Sequence, residues 1–194
     1  MKRLTSAILM LLALAGAAWG QDPEKHPMML PSPNPPQAPL APTAAVPPGD
    51  VEISVGDRMP DFQLDGSLGQ PVRLADLKGH WAVLVFDETR TKLGRLRAVD
   101  DSIRALGTQL YGICPDGAGG LKTYARREGV AFPLLSDPTR EVSRLFGMYD
   151  EDNGIIQSGL VLVDPQGVIR AVFQGPSLHP DDVLQLVRHT IARS

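Results

Sequence analysis

The chain is short of thiols: Cys114 is the only cysteine in 194 residues. That excludes an internal disulfide and any dithiol C-x-x-C centre, and leaves a buried thiol, a bridge between chains or a single reactive residue. Charge of one sign is also lacking, with 19 Lys+Arg against 22 Asp+Glu and a net charge of −3. No basic field is available for nucleic acid or an anionic membrane surface. The four histidines, His26, His80, His179 and His189, have no ligand spacing. Asp150, Glu151 and Asp152 lack the glycine and ligand alternation of a calcium loop, so no metal site is expected. Gly117, Gly119 and Gly120 have neither the G-K-[ST] nor the G-x-G-x-x-G that would complete a phosphate loop. No cofactor is implied.

Long apolar runs are scarce as well. The most apolar stretch, Ala7 to Ala15, falls well below the about 20 residues of a membrane helix. It follows Lys2 and Arg3 and precedes Ala18-Trp19-Gly20, so residues 1–20 read as a secretory signal peptide cleaved near Gly20. The expected location is secreted or periplasmic, with no stable membrane insertion after cleavage. Residues 21–50 carry Pro23, Pro27, Pro31, Pro33, Pro35, Pro36, Pro39, Pro42, Pro47 and Pro48 with almost no aliphatic periodicity. Such a segment is a disordered linker that favours extended polyproline II, with a reach of roughly 90 Å at about 3.1 Å per residue. The folded domain is then 51–194, a size suited to one core.

Within that domain, Asp61–Leu64 and Pro71–Leu74 flank a turn-rich segment and predict a hairpin. Trp81 to Phe86 reads as a strand buried on both faces. Leu93, Leu96, Ile103 and Leu106 then mark one side of a helix that Gly107 ends. Gln109 to Cys114 is a second parallel strand beside the first. Helices are expected over 118–128 and 139–146, stopped by Gly129 and Gly147. Leu160–Val163 and Val168–Phe173 form a hairpin around Asp164-Pro165-Gln166-Gly167. Pro180, Asp181 and Asp182 open a terminal helix whose inner face is Val183, Leu184, Val187 and Ile191. The fold class is α/β: a mixed sheet with helices on both faces, in thioredoxin-like order.

Four blocks in register carry a family resemblance. Val55-Gly56-Asp57-Arg58-Met59-Pro60-Asp61-Phe62-Gln63-Leu64 leads to Leu74-Ala75-Asp76-Leu77-Lys78-Gly79 and Val83-Leu84-Val85-Phe86. Phe132-Pro133-Leu134-Leu135-Ser136-Asp137-Pro138 with Leu145-Phe146-Gly147, and Val161 to Arg170, follow. Residues 53 to 175 thus resemble peroxiredoxins and related redoxins, the alkyl hydroperoxide reductase and thiol-specific antioxidant family. The resemblance implies a thioredoxin fold that reduces peroxides or exchanges thiols through a cysteine in the first strand-to-helix turn. Here that turn departs from the family pattern F-x-P-x-x-x-T-x-x-C. With Phe86 as the phenylalanine, Glu88 stands at the proline, Lys92 at the threonine and Arg95 at the peroxidatic cysteine. A register slipped by one offers Thr91 and Gly94 instead. Ser158 stands where the family carries an arginine before the third strand, a site that holds cis-proline in the thioredoxin branch.

Three uses of the chain follow. One is an exported peroxiredoxin-like protein without the peroxidatic cysteine, acting as a binding or interaction module on its Pro-rich tether. Another is a thiol-dependent antioxidant enzyme working through Cys114, which lies at the same sheet edge as the turn; Arg90, Lys92 or Arg95 would lower its pKa from an unperturbed value of about 8.5. The last has Cys114 joining two chains. Thr91, Lys92 and Arg95 mark a candidate anion site at the degenerate turn, against the plainer expectation of a solvated charge cluster with Thr89 and Thr91 as helix caps. The partner classes are a homodimer, a protein partner or a small anionic ligand.

Overall fold

A computed structural model describes residues 53–175 and 179–194. The expected signal peptide (1–20) and Pro-rich linker (21–50) lie outside the described residues. The first hairpin is present, as β1 (Gln63–Gly66) and β2 (Pro71–Arg73). Leu74 does not extend β2. It opens a short helix, α1 (Leu74–Leu77), because the Asp76 carboxylate accepts the Arg73 amide at 2.8 Å and caps the turn.

β3 (Trp81–Phe86) is the strand expected from its apolar run. Val83 and Val85 face one apolar cluster, while Ala82, Leu84 and Phe86 face the other. A strand with period-two side chains and two dry faces reads as continuous hydrophobicity, which is why its type was plain.

The helix expected after it is broken in three. α2 (Arg90–Arg95) passes into a 3₁₀ turn (Leu96–Ala98) before α3 (Asp100–Ala105) restarts. At the break, β-branched Val99 has φ −120° and ψ −1°, and Asp100 and Asp101 favour the new N-terminus. The apolar face survives the break: Leu93, Leu96, Val99 and Ile103 are all buried in one cluster. Gly107, at φ +70°, ends the segment as expected.

β4 (Thr108–Cys114) lies parallel to β3, and α4 (Ala118–Glu128) follows, closed by left-handed Gly129. β5 (Leu134–Ser136) is an added parallel strand that the sequence did not announce, since three residues show no periodicity. α5 (Glu141–Leu145) is shorter than expected. Arg140 before it has φ +59°, so the helix cannot begin at Thr139. Buried Asp137 accepts the Ser143 amide at 2.8 Å and its hydroxyl at 2.7 Å, capping this helix from outside. A two-pair hairpin, β6 (Tyr149–Asp150) with β7 (Ile155–Ile156), was also unannounced. β8 (Gly159–Val163), β9 (Ile169–Gln174) and α6 (Pro180–Ile191) complete the chain as read.

The seven strands run in the order β2-β1-β5-β4-β3-β8-β9, with β3, β4 and β5 parallel. Residues of α2, α3, α4 and α6 pack on one face, those of α1 and α5 on the other. Among the described residues no helix is long and apolar enough to cross a membrane.

α2 and α4 approach so closely that a Cβ at Gly94 would run into the Tyr124 hydroxyl and lie 3.0 Å from Cε1 and Cζ of its ring. Gly94→Ala is expected to cost about 1–3 kcal/mol through overpacking. Urea denaturation should show a lower midpoint with an unchanged slope.

Candidate functional site

The sheet brings the carboxyl ends of β3 and β4 level, with Phe86 opposite Ile113, and the Asp87 amide donates to the Ile113 carbonyl at 3.1 Å. An open parallel sheet gathers its chemistry at this edge. Asp87 is only 4% exposed. A carboxylate so far out of water must collect donors. Its Oδ1 accepts the Thr89 amide at 2.9 Å and the Thr89 hydroxyl at 3.0 Å. Its Oδ2 accepts the Ser158 hydroxyl and lies 3.3 Å from Lys92 Nζ, which also donates to Ser158 Oγ at 3.5 Å.

Glu88 makes the next pair of bonds. Oε1 accepts from Arg140 Nη2 at 3.0 Å and Oε2 from the Ile156 amide at 2.7 Å. Arg90 turns the other way, to Asp116 Oδ1 at 2.9 Å, with its guanidinium 5.5 Å from the Tyr124 ring centroid. Asp87, Glu88 and Arg90 are thereby tied to the segments before β8, before α5 and after β4, and Glu88 also to Ile156.

The three residues expected at an anion site are placed unequally. Thr91 and Arg95 are exposed, and Lys92 has an exposed head already paired with Asp87. Thr89 sits at the N-cap position of α2 but makes no side-chain cap; its hydroxyl donates to Asp87 instead. Thr91 lies inside the helix, so it is not the cap either. Asp116 and Arg140 were not anticipated, because their roles depend on contacts across 26 and 52 residues that no local pattern signals.

Cys114 ends β4 beside this edge, as expected, but it is 0% exposed and belongs to the apolar cluster with Leu93, Leu121 and Tyr124. Its Sγ donates to Asp116 Oδ2 at 3.9 Å. Of the readings left open for the thiol, its placement is the buried one, not that of a thiol made acidic by nearby cations. Burial pushes the thiol up to about 12, and the Arg90 charge, acting downward, is outweighed. A sulfur with no exposed surface also cannot reach a second chain in this conformation, which argues against a covalent dimer.

The family model described as the AhpC/TSA family matches residues 55–172. The chain belongs to the AhpC/TSA family. Among similar proteins, the selenocysteine-containing peroxiredoxin PrxU of Peptoclostridium acidaminophilum is 31% identical over 134 residues, covering 61% of this chain and 66% of PrxU. Peroxiredoxin tpx1 of Schizosaccharomyces pombe is 30% identical, covering 63% and 72%. Alkyl hydroperoxide reductase C of Bacillus subtilis is 28% identical, covering 50% and 57%. The chain therefore spans just under two thirds of PrxU and little over half of the Bacillus protein. In fold, Enterococcus faecalis AhpC superposes with a TM-score of 0.64 at 21% identity, covering 71% of this chain and 92% of that one. Mycobacterium tuberculosis BcpB does so with 0.64 at 21% identity, covering 73% and 98%. The thioredoxin-like mixed sheet expected from the sequence is the fold that these AhpC/TSA neighbours share. The β3–α2 turn of this AhpC/TSA domain, Asp87 to Arg95, contains no cysteine.

A thiol held neutral to about 12 is unreactive at ordinary pH. Iodoacetamide should leave folded Cys114 unmodified through pH 9 and label it fully in denaturant, as read by intact mass. The unfolded chain gives up this proton at about 8.5, while burial in the folded chain pushes it up to about 12. Stability is untouched by Cys114 below that range and falls as pH rises through it, a loss that Cys114→Ser should remove in alkaline urea titrations.

Proposed function

We propose that this AhpC/TSA-family domain is exported and works as a binding or interaction module, without peroxidase catalysis. Family membership supports the redoxin scaffold, and one observation carries the departure from its chemistry: the chain's single thiol is buried and pushed up to about 12. Attack on an O–O bond needs a thiolate with donors placed for the leaving oxygen. A thiol shifted so far in that direction is neutral at pH 7. The turn where the family resemblance locates the redox cysteine offers Thr91, Lys92 and Arg95, and Lys92 is already engaged by Asp87.

Export rests on the charged, apolar and small-residue segments of residues 1–20. The proposed partners are a second copy, another protein or a small anion at the turn. With Lys92 and Arg90 both facing carboxylates, any anion affinity falls to Arg95, the exposed head of Lys92 and the Thr91 hydroxyl, and is weak and salt-sensitive. The relatives' peroxiredoxin names favour a second reading, a thiol-dependent antioxidant enzyme using Cys114, which would require the strand end to open.

A peroxidase assay separates the two. With hydrogen peroxide or cumene hydroperoxide and dithiothreitol, the wild type should consume peroxide no faster than Cys114→Ser; turnover lost in that variant would replace the module with the enzyme. Sulfate titration followed by amide chemical shifts should move Thr91, Lys92 and Arg95 selectively, and unshifted signals would remove the anion as a ligand. N-terminal sequencing of the exported protein should begin at Gln21.

A further inference from the structure

Between α5 and β8 the chain forms the β6–β7 hairpin, which stands apart from the seven-stranded sheet and pairs only Tyr149 with Ile156 and Asp150 with Ile155. Its loop is bound to itself: Asp150 accepts the amides of Asp152 and Asn153 and the side-chain amides of Asn153 and Gln157, all in exposed positions. Polar ties to the rest of the domain come from α5, whose Arg144 pairs with Glu151 at 2.8 Å and lies 4.1 Å from the Tyr149 ring centroid, and from two carboxylates of the β3–α2 turn. Glu88 takes the Ile156 amide across 68 residues, and Asp87 takes the Ser158 hydroxyl across 71. Glu88 is itself held by Arg140, on the left-handed backbone before α5.

Beneath these bonds, the Ile156 side chain is 2% exposed in the cluster that contains Phe86, Phe146 and Met148, whose two rings lie 5.4 Å apart. Glycines bound the segment: Gly147 at φ +65°, and Gly159, where a Cβ would meet Met148 Sδ and the Phe173 carbonyl.

We propose that Tyr149–Ser158 is a lid latched by Glu88 and Asp87, and that its opening uncovers an apolar floor of Phe86, Phe146 and Met148 beside Lys92. Such a floor fits a ligand with an apolar body. The ligand class rests on the binding role proposed for this turn; the latch does not.

Hydrogen exchange on the full chain tests it. In Glu88→Ala, the Ile156 and Gln157 amides should exchange about tenfold faster or more, while β3, β4 and β8 change little. An unchanged Ile156 amide, or an equal acceleration across the sheet, overturns the latch. If Glu88→Ala does not fold, Glu88→Gln carries the test, with the same local pattern at smaller amplitude expected and uniform acceleration overturning it. The apolar anion 1-anilinonaphthalene-8-sulfonate should bind saturably to the latch variant, with near-ultraviolet circular dichroism retained; no binding to an opened lid overturns the floor. An opened lid in a protein that binds neither sulfate nor a partner would leave the latch standing and the module reading failed.

Discussion

Asp87 ends a strand whose last five residues are buried, and its carboxylate is carried almost out of solvent at the point where the chain turns from sheet to helix. A buried charge of that kind is tolerated only with donors around it, and removing one partner leaves the penalty unpaid. The surrounding turn is shaped by that requirement. Thr89 folds back to it, Lys92 reaches down from the first turn of α2, and Ser158 comes across from the approach to β8.

The charge pattern also decides what the edge of the sheet can offer. Lys92, Arg90 and Arg140 are each matched by a carboxylate at 3.3, 2.9 and 3.0 Å. A cation answered by its own protein contributes little field to an incoming ligand, so these three add little to the attraction that the residue types suggest in sequence. Meanwhile Cys114, which linear order places beside the turn, is separated from it chemically by burial in the apolar cluster under α2 and α4.

Much of the fold was legible because its strands and helices declare themselves by period. β3, β4, α4, the β8–β9 hairpin and α6 are long enough for that signal, and Gly107, Gly129 and Gly147 mark the stops of α3, α4 and α5. What was not legible is short or non-local. β5 and the β6–β7 hairpin have too few residues to show a period. The break at Val99 leaves the apolar stripe intact, so the stripe could not reveal it. At the candidate site the residue types were visible and the pairings were not: whether Lys92 is available or engaged depends on Asp87 being buried and on Ser158 arriving from another part of the chain. The end of β4 was readable for Cys114, and with both faces of that strand dry its burial follows on either one; its hydrogen bond to Asp116 depends on how the chain turns after the strand.

The strand order carries a consequence for the timing of folding. β1 pairs on one side with β2, its neighbour in sequence, and on the other with β5, and the Leu134 amide donates to Ser67 Oγ across 67 residues. A chain emerging amino end first therefore presents the β1–β2 hairpin long before its template exists. The parallel strands β3, β4 and β5 must assemble before that edge of the sheet can close, a non-local step of the kind that slows folding and leaves strand edges open to other chains. The first hairpin therefore docks among the last pieces, after the strand it pairs with has found its own neighbours.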